Sequence, residues 1–234
     1  MQFLKDLRHI FYPKLCVNCQ NQLVNNEFVL CTFCRHDLPL ANFKNYTDNK
    51  IIRIFYGRVE IEKANALLLF RKKGIVQQII HELKYKNNED VGVFLGRWYA
   101  SILKETSIFS EVDIVIPVPL HPKRLKERGY NQVTKFGLEI CNSLKIPFKE
   151  NILTRVSSTK TQTFKSRFER FTNLDTKFIT QKKDRINGKH ILLIDDVITT
   201  GATLESCAKE LLKSVIYIWL CKSSIFLDND LMLV

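Results

Sequence analysis

No stretch of the 234 residues approaches the roughly 18 consecutive apolar side chains that a membrane helix needs. The N-terminus, MQFLKDLRHIFYPKL, interrupts its apolar positions with charges and lacks the apolar core and small-residue cleavage site of a secretory signal. Heptads, low-complexity tracts and long internal repeats are missing too. What remains is the pattern of a soluble globular chain with an expected cytoplasmic location: 45% hydrophobic, 26% charged, and long enough for one medium domain with a small appendage. Acidic residues are scarce in one region. Residues 121–189 carry 17 Lys and Arg against 6 Asp and Glu, almost the whole of the formal excess of +12. Such a field suits a polyphosphate ligand or a nucleic-acid backbone; a solvated basic surface is the plain alternative.

Four of the seven cysteines form two knuckles, Cys16-x2-Cys19 and Cys31-x2-Cys34, separated by eleven residues. Paired CxxC knuckles point to tetrahedral zinc. Disulfides do not persist in a reducing cytoplasm, and free core thiols do not explain the regular spacing. Four thiolates leave no open position for catalysis, so the expected zinc is structural. Cys141, Cys207 and Cys221 fall in apolar surroundings and read as packed core thiols.

The chain is organised around ILLIDDVITTGAT, 191–203. Its four aliphatic residues read as a strand buried on both faces. Asp195 and Asp196 are expected where that strand ends, a loop over Val197–Gly201 follows, and a helix over Ala202–Leu212. Ligands bind at the carboxyl ends of strands in open α/β sheets. Thr199, Thr200, Gly201 and Thr203 suit a phosphate cradle, with hydroxyl donors and a glycine that permits close backbone approach. The two carboxylates suit ribose hydroxyls or a hydrated magnesium beside that phosphate.

The rest of the chain supplies a frame for this stretch. A short helix is expected over 3–12, and helices over 75–86 and 91–104 follow from apolar spacing. Residues 64–70, 112–119, 152–156 and 214–222 read as strands or buried segments. His81 lies beside an apolar stripe and reads as a packed or surface histidine. LHPKRLKERGYNQ, 120–132, reads as a basic turn leading into a helix at about 131–144, with Lys123, Arg124, Lys126 and Arg128 placed to surround a polyanion; a plain exposed basic turn is the alternative. Residues 157–174 are polar and basic, as in a loop that orders over an anionic ligand.

The stretch 191–203 resembles the signature of type I phosphoribosyltransferases, which bind 5-phosphoribosyl-1-pyrophosphate (PRPP). The four knuckle cysteines, HELKY (81–85), PVPLHPKRLKERGYNQ (117–132), Thr161, Gln162, Arg170, Asn173 and DDVITTGAT follow in this order. Together they resemble the ComF family, also called competence protein F, from Cys16 to about Cys221. The resemblance implies an α/β fold: a type I phosphoribosyltransferase-like doubly wound parallel sheet with a small N-terminal four-cysteine zinc finger. It divides the chain into 1–40 (helix and zinc finger), 41–110 (hood or linker with helices) and 111–234 (phosphoribosyltransferase core).

The same resemblance implies that Asp195 and Asp196 contact the ribose, directly or through magnesium, and that Thr199, Thr200, Gly201, Ala202 and Thr203 wrap the 5′-phosphate. Asp195, Asp196, Arg124 and Arg128 form the implied catalytic set. Tyr130, Asn131 and Gln132 belong to the family motif, and Gln162, Arg170 and Asn173 to the flexible loop. Implied cofactors are structural zinc and magnesium with PRPP. Implied partners are PRPP or a related phosphosugar, single-stranded DNA and DNA-uptake proteins. Two functions stay open: phosphoribosyl or pyrophosphate transfer, or a non-catalytic DNA-binding or regulatory protein reusing the fold.

Overall fold

A computed structural model describes residues 13–106, 109–156 and 177–226. The expected helix over 3–12, and Thr161, Gln162, Arg170 and Asn173, lie outside the described residues. A cysteine-bearing module with one short helix, α1 (Thr32–His36), comes first. It is followed by α2 (Lys50–Phe55), β1 (Lys63–Phe70), α3 (Ile75–Tyr85), α4 (Asp90–Thr106), β2 (Ile114–Pro117), α5 (Pro122–Arg128) and α6 (Thr134–Leu144). Then come β3 (Leu153–Val156), β4 (Lys177–Thr180), a 3-10 turn (Lys183–Arg185), β5 (His190–Ile198), α7 (Ala202–Leu211) and β6 (Tyr217–Phe226).

Four strands form a wholly parallel sheet in the order β1-β6-β5-β2. β1, from the stretch expected as hood or linker, is therefore an edge strand of that sheet. Side chains alternate between faces along each strand, and this sorts the apolar runs into two cores. Ile191, Leu193, Ile218 and Leu220 enter one core, with Ile51 of α2, Leu204 of α7 and the antiparallel β3–β4 pair. Leu192, Ile194, Trp219 and Cys221 enter the other, with Ile79 of α3, Leu95 of α4, Phe136 of α6 and Leu30 of the cysteine module. A sheet buried on both faces needs apolar side chains at consecutive positions. This is the doubly wound α/β architecture with a small N-terminal cysteine module that was expected. Cys141, Cys207 and Cys221 are buried in it as free thiols.

Two expectations are corrected. β5 does not end at the carboxylates but runs through them to Ile198, because β6 continues alongside and pairs Asp195 with Lys222 and Val197 with Ser224. The loop expected to begin at Val197 therefore begins at Thr199. The basic segment after β2 is a helix, α5, rather than a turn: His121 caps it through its ring, Pro122 occupies its first turn, and Gly129 at φ +82° terminates it. Residues Lys50–Phe55, α2, are capped by the Asn49 side chain on the N–H groups of Ile51 and Ile52. Among the described residues no helix is long and apolar enough to cross a membrane.

Candidate functional site

A cavity of about 980 Å³ opens at the carboxyl ends of the strands. Asp195, Asp196, Thr199 and Thr203 line one part of it; Arg124 and Arg128 of α5 and Arg155 of β3 line another. Lys84, His81 and Tyr85 of α3 complete the wall. β2 and β5 run parallel, which brings α5 to the same sheet edge as the carboxylates.

Asp195 and Asp196 are adjacent strand residues, so their side chains point to opposite faces of the sheet. Asp195 shares its face with Lys222 of β6, a fully buried lysine whose ammonium pairs with Asp195 Oδ2. Asp196 turns to the other face and meets Lys84 Nζ at 2.6 Å. Gln132 Nε2 also donates to Asp196 Oδ2 at 3.1 Å, and Arg128 Nη1 donates to Gln132 Oε1 at 2.5 Å. The remaining carboxylate oxygens accept backbone donors: Asp195 Oδ1 from Asp196 N–H, and Asp196 Oδ1 from Val197 N–H. Burial pushes both carboxyls up. For Asp196 the pull of the Lys84 ion pair, joined by the Lys222 charge and the Val197 N–H, together outweighs burial and holds the carboxyl below its ordinary value. Asp195 stays above its ordinary value because the Asp196 charge adds to burial against the pull of Lys222.

The loop after β5 is held from behind. Arg58, paired with Glu205 of α7, donates from Nη1 to the Thr200 carbonyl at 2.8 Å. Gly201 adopts φ +76°, and a Cβ there would lie 2.8 Å from Ile54 Cγ2, so both backbone conformation and space require glycine. Thr199 and Thr203 line the cavity, whereas Thr200, Gly201 and Ala202 do not. Of the family-motif residues, Gln132 reaches the doublet directly. Tyr130 donates its hydroxyl to the Leu83 carbonyl and ties the segment to α3, while Asn131 Nδ2 donates to the carbonyl of Val118, the residue after β2, at 3.0 Å.

Lys84, Lys222, Arg155, Arg58 and Tyr85 were not singled out from the sequence. The signal for Lys84 was present in HELKY, next to the buried stripe Val76, Ile79, Ile80, Leu83. Lys222 needed the β5–β6 register, which no local pattern carries.

The second site is the cysteine module. The four Sγ atoms of Cys16, Cys19, Cys31 and Cys34 lie within 4.8 Å of one another. Those of Cys19 and Cys31 are 3.7 Å apart, close to the edge of about 3.8 Å for a tetrahedron of thiolates at about 2.3 Å from zinc. Backbone N–H groups aim at the sulfurs: Cys31 N–H at Cys16 Sγ, 3.4 Å, and Cys34 N–H at Cys31 Sγ, 3.5 Å. The Asn18 amide reaches Cys34 Sγ at 3.3 Å. Such donors orient thiolates around a cation, and the cluster is a site for a metal such as zinc.

No protein-family model matches the chain. It is 35% identical over 206 residues to competence protein ComFC of Bacillus subtilis, covering 86% of this chain and 78% of that protein. It is 29% identical over 209 residues to competence protein F of Haemophilus influenzae, covering 88% and 87%. Over 152 residues it is 29% identical to the DNA utilization protein YhgH of Escherichia coli, covering 62% of this chain and 66% of that one. Among solved structures, glutamine PRPP amidotransferase from B. subtilis aligns at TM-score 0.42 and 17% identity, over 61% of this chain and 30% of that chain. Adenine phosphoribosyltransferase from Leishmania tarentolae aligns at TM-score 0.37 and 12% identity, over 68% and 90%.

Proposed function

The chain belongs to the ComF family, and from that premise we propose that it is a PRPP-binding, phosphoribosyltransferase-like protein acting in DNA uptake. The observation that carries this reading is the division of a single cavity: carboxylates and hydroxyls in one part, arginines in another. Ribose hydroxyls are donors and suit the lone pairs left on Asp195 and Asp196. The 5′-phosphate suits Thr199, Thr203 and the start of α7. Pyrophosphate suits Arg124, Arg128 and Arg155, which can meet phosphate oxygens in bidentate fashion. When the bond between ribose C1 and pyrophosphate breaks, its electron pair departs with the pyrophosphate. The arginines then stabilise the charge that gathers there, and the carboxylates hold the ribose as its C1 becomes electron-poor.

Calorimetric titration with PRPP tests the reading. Wild type binds, and a folded Asp195→Asn/Asp196→Asn variant does not; a wild type that takes up no PRPP under any ionic condition ends it.

A second reading, single-stranded DNA binding, draws on the cavity rim. Tyr85 is 69% exposed, lies 5.1 Å from the His81 ring, and has the Arg128 guanidinium 5.8 Å from its centroid. An exposed aromatic ring beside Arg128, on a cavity that Arg124 also lines, suits a stacked base and its backbone. Affinity for an oligothymidine should fall steeply with salt, and Tyr85→Ala should weaken it by about 1–3 kcal/mol while Tyr85→Trp retains it. Equal affinity for the alanine variant would remove the stacking role.

A further inference from the structure

The expected magnesium meets an obstacle at the doublet. Each of the four carboxylate oxygens already has a partner: backbone N–H groups on the two Oδ1 atoms, the Gln132 amide and the Lys84 ammonium on Asp196 Oδ2, and the ion-paired Lys222 ammonium on Asp195 Oδ2. A hydroxyl can use a remaining lone pair beside an ammonium. A magnesium at 2.0–2.1 Å would have to face that ammonium, so the donor set as it stands does not fit the ion. Of the two lysines, Lys222 is sealed in the sheet and has no route out. Lys84 stands at the cavity wall, a quarter exposed, on the last turn of α3.

Resting on the reading of the cavity as a phosphosugar site, we infer that Lys84 is the resident cation of the doublet: it neutralises Asp196 where transferases would recruit a divalent ion, so a ribose phosphate binds here without magnesium. The local charges agree. The doublet is matched by Lys84 and Lys222, and the rest of the cavity wall carries Arg124, Arg128 and Arg155 against Glu127, a net positive lining. A site already positive toward a phosphate needs no metal to admit one. Lys84 is thus a specificity-determining residue, selecting the uncomplexed phosphosugar over its magnesium complex.

Two measurements on zinc-loaded protein test this, in divalent-free buffer without chelator so that the cysteine site stays filled. The first needs no sugar ligand: electron paramagnetic resonance with Mn²⁺. Wild type should take up no Mn²⁺ at the doublet, Lys84→Met should gain one site, and Lys84→Met/Asp196→Asn should lose it. One Mn²⁺ bound by wild type with unchanged affinity in Lys84→Met overturns the inference. If Lys84→Met does not fold, Lys84→Gln replaces it, and the wild-type result alone can still refute the idea.

The second is calorimetry with ribose 5-phosphate. Wild-type affinity should be the same with and without Mg²⁺, whereas Lys84→Met should bind about tenfold more weakly without Mg²⁺ and recover when it is added. A wild type that binds only with Mg²⁺ overturns the role of Lys84. A wild type that binds no phosphosugar in either buffer overturns the function proposed above, and the Mn²⁺ measurement still decides Lys84.

Discussion

The cysteine module and the strand-end cavity each gather acidic groups, yet the fold neutralises them in opposite ways. In the module, the hydrogen-bond partners of the four thiols are backbone N–H groups, one asparagine amide and one another. The positive charge must come from outside, and a zinc-like ion brings it. In the cavity, Asp195 and Asp196 each carry a lysine supplied by the chain itself. The contrast teaches that a cluster of acidic groups predicts a metal only where the fold has not already provided a cation.

The comparison breaks most visibly at the module. Metal binding supplies about 10–16 kcal/mol to small zinc modules, and this one shares a core with the sheet through Leu30 and Leu38. Cys31→Ser should lose its metal, about one zinc per chain by elemental analysis, and melt far below wild type. A stable, metal-free variant would show that the thiols need no cation.

Next in size is Lys222→Met, which leaves the Asp195 carboxylate buried without its partner. Breaking a buried pair in this way costs about 3–5 kcal/mol, readable by urea denaturation. Lys222→Met/Asp195→Leu should recover most of that loss. A single variant as stable as wild type would mean that the pair contributes nothing.

Gly201→Val perturbs the phosphate loop without touching a charge. Valine at φ +76°, against Ile54, should destabilise by about 2 kcal/mol and weaken phosphosugar binding while leaving zinc content unchanged. Loss of zinc in this variant would mean that the two sites are not independent.

The smallest effect sharpens the comparison through pH. Asp196 titrates below its ordinary value because Lys84, with help from Lys222 and the Val197 N–H, outweighs its burial, so it binds fewer protons folded than unfolded. Its contribution is present above a carboxylate's usual pKa of about 3.9 and is lost as pH falls through the lower native value. Wild type should therefore exceed Lys84→Met in stability by roughly 1 kcal/mol near neutrality, and the two should converge in strong acid. Parallel curves across the whole range would contradict the ion pair.

Much of the frame was legible because its signals are local. Continuous apolar runs marked β2, β5 and β6, a helical stripe marked α3, and knuckle spacing marked the thiol cluster. α5 was misread although its punctuation, Pro122 and Gly129, was in view; the density of Lys and Arg suggested a turn. The ends of β5 and β6 were illegible for a deeper reason. An apolar-run argument stops a strand at its first charge, whereas here Asp195 and Lys222 extend both strands by pairing with each other. A strand's charged end becomes buried only when its neighbour supplies the opposite charge, and that register is a property of the tertiary fold. Likewise Gln132, in the turn between α5 and α6, and Lys84, on α3, converge on Asp196 only after the sheet is wound.

The most direct test is a crystal structure of the zinc-loaded protein with PRPP and magnesium both present. PRPP should lie in the cavity with its ribose hydroxyls on the doublet, its pyrophosphate among Arg124, Arg128 and Arg155, and Lys84 still on Asp196. A magnesium ion coordinated by Asp195 or Asp196, with Lys84 turned away into solvent, would contradict that arrangement.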